Sequence, residues 1–262
     1  MRRLAVHFFF WLWALAVAPA QAGAPALLAP LGEARVSAVI DGDTVALDDG
    51  RQVRLVGIQA PKLPLGRTNF KPWPLAEEAK TALARLVAGK SVRLLKGEAV
   101  EDRHGRVLAH LERREDGLWA QGEMLRLGLA RVYTFADNRK AAADMLAIEA
   151  EARAARRGLW ADPYYAIRDA ATVGRHLDGF EIVEARIQSM AKVKGRIYLN
   201  FGDDWRRDFT VKIERRNVKL FDRAARDLTQ WAGKRIRVRG WVTWQNGPMI
   251  EATHPEQITL LD

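Results

Sequence analysis

Apolar and polar positions alternate along residues 34–40, 44–47 and 52–58, and the dipeptides Asp41-Gly42 and Asp49-Gly50 fall between them. Alternation with period two marks half-buried strands, and Asp-Gly is a strong tight-turn signal, so this stretch predicts a three-strand meander. The period then changes. Leu75, Ala79, Ala82, Leu83 and Leu86 recur at helical spacing within residues 73–87, with Pro74 at an expected first helical position and Gly89 just past the end; this predicts an amphipathic helix. Strands are expected near 92–95 and 107–111, followed by helices near 118–127 and 139–157, the last closing at Gly158. The order is β-β-β-α-β-β-α-α.

Periodicity is lost over residues 161–179, which contain Asp162-Pro163 and two glycines and are expected to be a linker. A second pattern follows. Strands are expected near 181–189, 196–201 and 209–213, a helix near 218–231, and strands near 235–244 and 249–253 joined at Asn246-Gly247. Five strands with a helix between the third and fourth is the OB-fold order. The expected class is therefore mainly β with helices (α+β), in two domains at residues 23–160 and 180–262.

Composition narrows the functional classes. Of 262 residues, 48% are hydrophobic and 28% charged, the balance of a globular chain rather than a disordered polymer or a multi-span membrane protein. With 42 Lys and Arg against 32 Asp and Glu, the formal net charge is +10, which makes an anionic partner the first to consider. The absence of cysteine excludes disulfides, thiolate metal sites and thiol nucleophiles. His110, His176 and His254 are isolated in sequence, so no histidine-based metal site is supported, and no Walker or dinucleotide glycine motif is present. Residues 1–22 carry Arg2 and Arg3, an apolar stretch over residues 4–17, and Ala20-Gln21-Ala22, which together predict a cleaved signal peptide and a periplasmic or secreted mature protein.

Three segments concentrate the chemistry: Asp41-Gly42-Asp43-Thr44, then residues 54–61 reading RLVGIQAP, then Asp102-Arg103-His104-Gly105-Arg106. Two carboxylates across a glycine suit a hard cation such as Ca2+, although the same residues make an ordinary turn. Arg54 and Arg106 present forked guanidinium groups suited to phosphate oxygens, and equally suited to surface ion pairs.

Together with Gly128-Leu129-Ala130 and Gly158-Leu159-Trp160, these ordered segments resemble the staphylococcal nuclease (thermonuclease) family over about residues 34–160. The resemblance implies a staphylococcal nuclease-like OB-fold barrel with added helices, here followed by a second, C-terminal OB-fold. It implies hydrolysis of phosphodiester bonds in DNA or RNA, in which calcium polarises the phosphate and two arginines stabilise the developing charge. By position Asp43 matches a calcium ligand, Asp41 its acidic neighbour, and Arg54 and Arg106 the two arginines. Gln59 stands where the family has a second aspartate ligand, and Lys62 where it has a catalytic glutamate. These two departures weaken the expected Ca2+ or other divalent-cation site and leave Lys62 as an added phosphate cation. The competing expectation is a catalytically inactive homologue that binds nucleic acid or another polyanion.

Nucleic-acid contacts are expected from Arg67 and Lys71 in a proline-stiffened loop and from Arg103. Tyr133 and Phe135 lie near where the family stacks tyrosines on a nucleotide. In the second domain, Tyr198, Lys212, Arg235, Arg237 and Arg239 fall on outward strand positions where OB-folds bind single strands.

Overall fold

The computed structural model describes residues 23–224 and 228–261. The expected signal peptide lies outside the described residues, as do residues 225–227 within the expected helix over 218–231. No helix among the described residues is long and apolar enough to cross a membrane.

The first domain is a closed barrel. Strands β1 (Ala29–Asp41), β2 (Thr44–Leu47), β3 (Gln52–Leu55), β5 (Ser91–Lys96) and β6 (Val107–Arg113) close in the order β1-β2-β3-β6-β5, with β3 and β6 parallel. The first half of β1 pairs with β5 and the second half with β2, across register shifts that bend the strand from one to the other. The third expected strand does not run through residue 58. The chain leaves β3 at Val56 and turns at Gly57, whose φ is 85°; β4 (Gly57–Gln59) then pairs antiparallel with β7 (Arg131–Tyr133) beside the barrel.

Helix α1 (Ala76–Val87) buries Ala76, Ala79, Leu83 and Val87, a stripe at helical spacing. It begins later than the sequence suggests, because Leu75 is left-handed (φ 66°) and leaves Pro74 outside the helix. Glu77 and Glu78 in the first turn and Arg85 in the last complement the helix dipole. The barrel side of α1 meets the β1–β2 turn so closely that a Cβ on Gly42 would stand 2.6 Å from the Ala60 Cβ and 2.8 Å from that of Ala79. Helices α2 (Ala120–Arg126) and α3 (Ala142–Ala154) complete the domain. The two glycine motifs have one physical cause: Gly128 and Gly158 cross backbone to backbone, with Leu159 N–H donating to Gly128 O at 2.8 Å. A Cβ on either residue would come within 2.2 to 2.3 Å of the other segment's carbonyl oxygen.

The expected linker is ordered. It forms 3-10 turns at Pro163–Tyr165 and Val173–His176 and the two-residue strand β8 (Arg168–Asp169), and Val173 is buried in the core of the second domain. Apolar spacing missed it because its anchoring side chains are single residues between polar ones.

The second sheet contains β9 (Phe180–Arg186), β10 (Ser189–Val193), β11 (Arg196–Asn200), β12 (Thr210–Ile213), β13 (Arg235–Trp244), β14 (Pro248–Glu251) and β15 (Ile258–Leu260), with helix α4 (Arg215–Arg223) between β12 and β13. Its order is β10-β11-β12-β14-β13-β9-β8, with β15 on β13 and with β12 parallel to β14. If β9 and β10 are taken as one strand interrupted at Ile187 and Gln188, this repeats the order of the first barrel, including the parallel pair. Each domain has its own apolar core.

The domains meet along β7. Arg239 of β13 reaches out of its sheet to Glu149 of α3, with Nη1 to Oε1 at 3.0 Å and Nη2 to Oε2 at 2.6 Å, and Nη1 also donates to Val132 O. Beside this pair, Thr134 Oγ1 bonds His254 Nε2 at 2.8 Å and Trp241 Nε1 donates to Tyr133 Oη at 2.9 Å.

Candidate active site

The β1–β2 turn, the end of β3 and the segment after β4 converge on Asp43. This carboxylate is fully buried. Its Oδ1 accepts from Thr44 Oγ1 at 3.2 Å and Lys62 Nζ at 2.8 Å; its Oδ2 accepts from the Ala60 amide at 2.8 Å and Lys62 Nζ at 2.6 Å, with Arg54 Nη2 at 3.2 Å. Burial by itself raises the proton affinity of such a group, but the charges of Arg54 and Lys62 and the bonds to it outweigh burial and hold Asp43 well below the usual carboxylate range. Arg54 is fixed further by bonds to Leu55 O and Ile58 O.

Asp41 is placed differently. Its Oδ1 accepts from the Asp43 amide at 3.0 Å, and its Oδ2 stands 3.6 Å from Lys62 Nζ. Burial, followed by the adjacent negative charge of Asp43, raises its carboxyl above the ordinary value, with Lys62 only partly offsetting this. Of the two carboxylates, Asp41 is therefore the better proton acceptor near neutrality.

A calcium ion requires several oxygen ligands with free lone pairs. The residues present do not fit that requirement. Both Asp43 oxygens are already bonded, and the Lys62 ammonium bridges them. Gln59 does not join the cluster: its Oε1 accepts from Arg131 Nε at 3.0 Å and Nη2 at 2.8 Å, the two residues being cross-strand partners on β4 and β7. Gln59 is thus an acceptor for an arginine rather than a metal ligand. Among the described residues no group of three or more His, Cys, Asp or Glu gathers as a metal site.

Arg131 gave no sequence signal beyond following Gly128-Leu129-Ala130. It is buried, and its guanidinium lies 4.7 Å from the ring centroid of Phe180, 5.7 Å from Tyr165 and 6.0 Å from Trp73. Burial pulls it down to about 10, so it remains a cation at neutral pH.

Arg106 is on the loop entering β6, and its Nε donates to Asp102 Oδ2 at 2.8 Å; its described bonds are to Asp102 rather than to the Asp43 cluster. Arg103 is exposed in the same loop and donates to His104. Arg67 braces its own loop through Pro64 O and Leu63 O, with its guanidinium 3.6 Å from the Phe70 ring centroid, while Lys71 is exposed nearby. Phe135 is exposed, but Tyr133 packs at the domain boundary, 4.8 Å from Phe180 and bonded to Trp241.

The basic stripe of the second domain is largely neutralised. Arg239 is 3% exposed and buried against Glu149, so it is an interdomain ion pair and not a nucleic-acid contact. Alternation placed it outward correctly, but outward on β13 means toward the first domain. Arg235 and Arg237 both pair with Glu184. Lys212 pairs with Glu214 and Glu251, opposite the half-buried Tyr198.

A five-stranded barrel with a parallel third–fifth pair, carrying an aspartate turn and an adjacent arginine, is accompanied by direct sequence similarity. The sequence pattern described as staphylococcal nuclease homologue matches residues 52–162. An Escherichia coli protein described as an uncharacterized endonuclease is 33% identical over 131 residues, which are 49% of this chain and 76% of that protein. The chain belongs to the staphylococcal nuclease homologue family. Protein ParB of Escherichia coli is 35% identical over 136 residues, covering 48% of this chain and 71% of ParB. A rice protein described as probable staphylococcal-like nuclease CAN2 is 35% identical over 138 residues, 53% of this chain but only 33% of the rice protein. The chain thus spans about a third of that longer relative.

Proposed function

We propose that this nuclease-family chain hydrolyses phosphodiester bonds in DNA or RNA and that the Lys62 ammonium and Arg54 guanidinium supply the positive charge around the phosphate. The carrying observation is the Lys62–Asp43–Arg54 cluster at the position of the family's acidic site. Phosphoryl transfer develops negative charge on the equatorial oxygens, and fixed cations there lower the barrier. Asp43 orients both cations. Asp41, beside Lys62 and raised in proton affinity, is the group suited to take a proton from the attacking water, so cleavage should fall on acidification.

A second reading, binding without cleavage, is favoured by the commitment of Asp43 to four donor groups, which leaves it a poor base. Hydrolysis of fluorescent single-stranded DNA and RNA, with Arg54→Ala as the control for contaminating nuclease, separates the two. Cleavage lost in the variant supports the enzyme. Salt-sensitive binding with no cleavage supports the binder, because phosphate contacts weaken steeply with salt. Export to the periplasm or beyond is part of the proposal and rests on the pattern in residues 1–22; N-terminal sequencing of the mature protein tests it. The repeated strand order supports reading the second domain as an OB-fold.

A further inference from the structure

Lys62 is 22% exposed in its side chain, and that exposed face opens into a cleft between the two domains of about 720 Å3. The volume falls within the ~300–1,000 Å3 typical of small-molecule sites. Its charged end is Lys62, next to Gln59, and its walls carry Phe70, Trp73, Tyr164 and Trp241. These rings come from three parts of the chain: the loop after Lys62, the ordered segment between the domains, and β13 of the second domain.

The other charges in the cleft are already engaged or balanced. Arg168 pairs with Glu181 at 3.0 Å and also donates to Tyr164 O, while Arg67 is held by its own loop. Asp178 lines the wall by Gly179. Away from Lys62 the cleft's two arginines are matched in number by Glu181 and Asp178 and its walls are mainly aromatic, which suits a base better than a second phosphate. Trp241 is 45% exposed, yet its position is fixed, because Nε1 donates to Tyr133 Oη. A tryptophan anchored at its edge with an open face is preorganised for stacking.

We propose that this interdomain cleft holds an unpaired base of a nucleic-acid strand whose phosphate lies at Lys62, and that Trp241 of the second domain is its stacking surface. This rests on the reading of the Asp43 cluster as a phosphodiester site. It gives the second domain a direct part in substrate binding through residues outside the nuclease motifs. A base in a duplex keeps both faces stacked on its neighbours, so only a strand with splayed bases can use the site.

The test is fluorescence-anisotropy binding of a nuclease-resistant phosphorothioate oligothymidylate of about eight residues and of a hairpin duplex of similar length, in parallel with cleavage of an ordinary single strand. Removal of one base-stacking aromatic costs about ten- to hundredfold in affinity. Trp241→Ala should therefore weaken single-strand binding by that factor, Trp241→Phe should retain most of the affinity, and the duplex should bind wild type at least tenfold more weakly than the single strand. If Trp241→Phe lost as much as Trp241→Ala, the side chain would act only through its bond to Tyr133 and the proposal would be overturned. It would also be overturned by equal binding of duplex and single strand, or by unchanged affinity in Trp241→Ala while Arg54-dependent cleavage persisted; in that last case the phosphodiester reading would survive. Absence of both binding and cleavage in wild type would overturn both.

Discussion

Lys62 Nζ lies 2.8 Å and 2.6 Å from the two carboxylate oxygens of Asp43, so an ammonium group sits against both oxygens of the buried aspartate. Under the proposed function this ammonium is the cation of the site, supplied by the chain without a free ligand. Calcium at about 1 mM, enough to occupy even weak extracellular-type sites, should leave the melting temperature of the wild type unchanged, since only a ligand that binds the native state shifts it. A saturable rise in melting temperature with calcium would show that the site still takes the ion.

Single substitutions at Arg54 and Lys62 should each lower cleavage on the order of 10² to 10³-fold, the usual effect of deleting one preorganised charge or donor around a transition state. The double variant should lose far less than the product, because the two groups share Asp43 and act as a unit. Single-turnover rates on a labelled strand measure this. A decrease under threefold for Lys62→Met would place Lys62 outside the chemistry.

Arg239 and Glu149 form the buried tie between the domains. Burial opposes the charge of Glu149, but the Arg239 guanidinium, the Val132 amide and Arg153 hold its carboxyl below the usual range. Arg239→Ala would leave this buried carboxylate with Arg153, at 3.2 Å, as its remaining cationic partner and should destabilise the protein by about 3 kcal/mol. Arg237→Ala, in a partly exposed pair with Glu184, should cost about 1 kcal/mol or less. Urea unfolding of the two variants compares them; similar losses would contradict the assigned roles.

Stability should fall on mild acidification. His110 and His254 are buried without an anionic partner, and burial lowers both to about 3, reinforced at His254 by Arg139 and Arg239. The unfolded chain takes up a proton on each below its ordinary value near 6.5, whereas the folded chain does so only near 3. Stability is thus fully present above 6.5 and declines as pH falls from 6.5 toward 3, by roughly 2 kcal/mol per histidine at pH 5. Urea midpoints at pH 7.5 and 5.0 check the trend, and His254→Gln should remove about half of it.

Much of the first domain was legible in sequence because its signals are local. Asp-Gly turns set the hairpins, and the apolar spacing from Leu75 to Leu86 set α1. The crossing of Gly128 and Gly158 explains why those glycine motifs stand where they do. What was not legible depends on contacts between distant residues. Alternation put Arg239 on the outer face of β13 correctly, but nothing local says that Glu149 covers that face. Gln59 read as a weakened ligand because its partner, Arg131, becomes its neighbour only when β4 leaves the barrel to pair with β7. Lys62 read as an added phosphate cation in place of a glutamate; that its ammonium bridges both oxygens of Asp43 emerged only from their distance.

The most direct measurement is the initial rate of cleavage of a fluorescent single strand by the purified protein in EDTA and in calcium, alongside Lys62→Met in the same two buffers. Cleavage by the wild type that persists in EDTA and is lost in Lys62→Met in both buffers is the expected result. Cleavage by the wild type that appears only with calcium, or that survives in Lys62→Met, would contradict the assignment of Lys62 as the cation of the site.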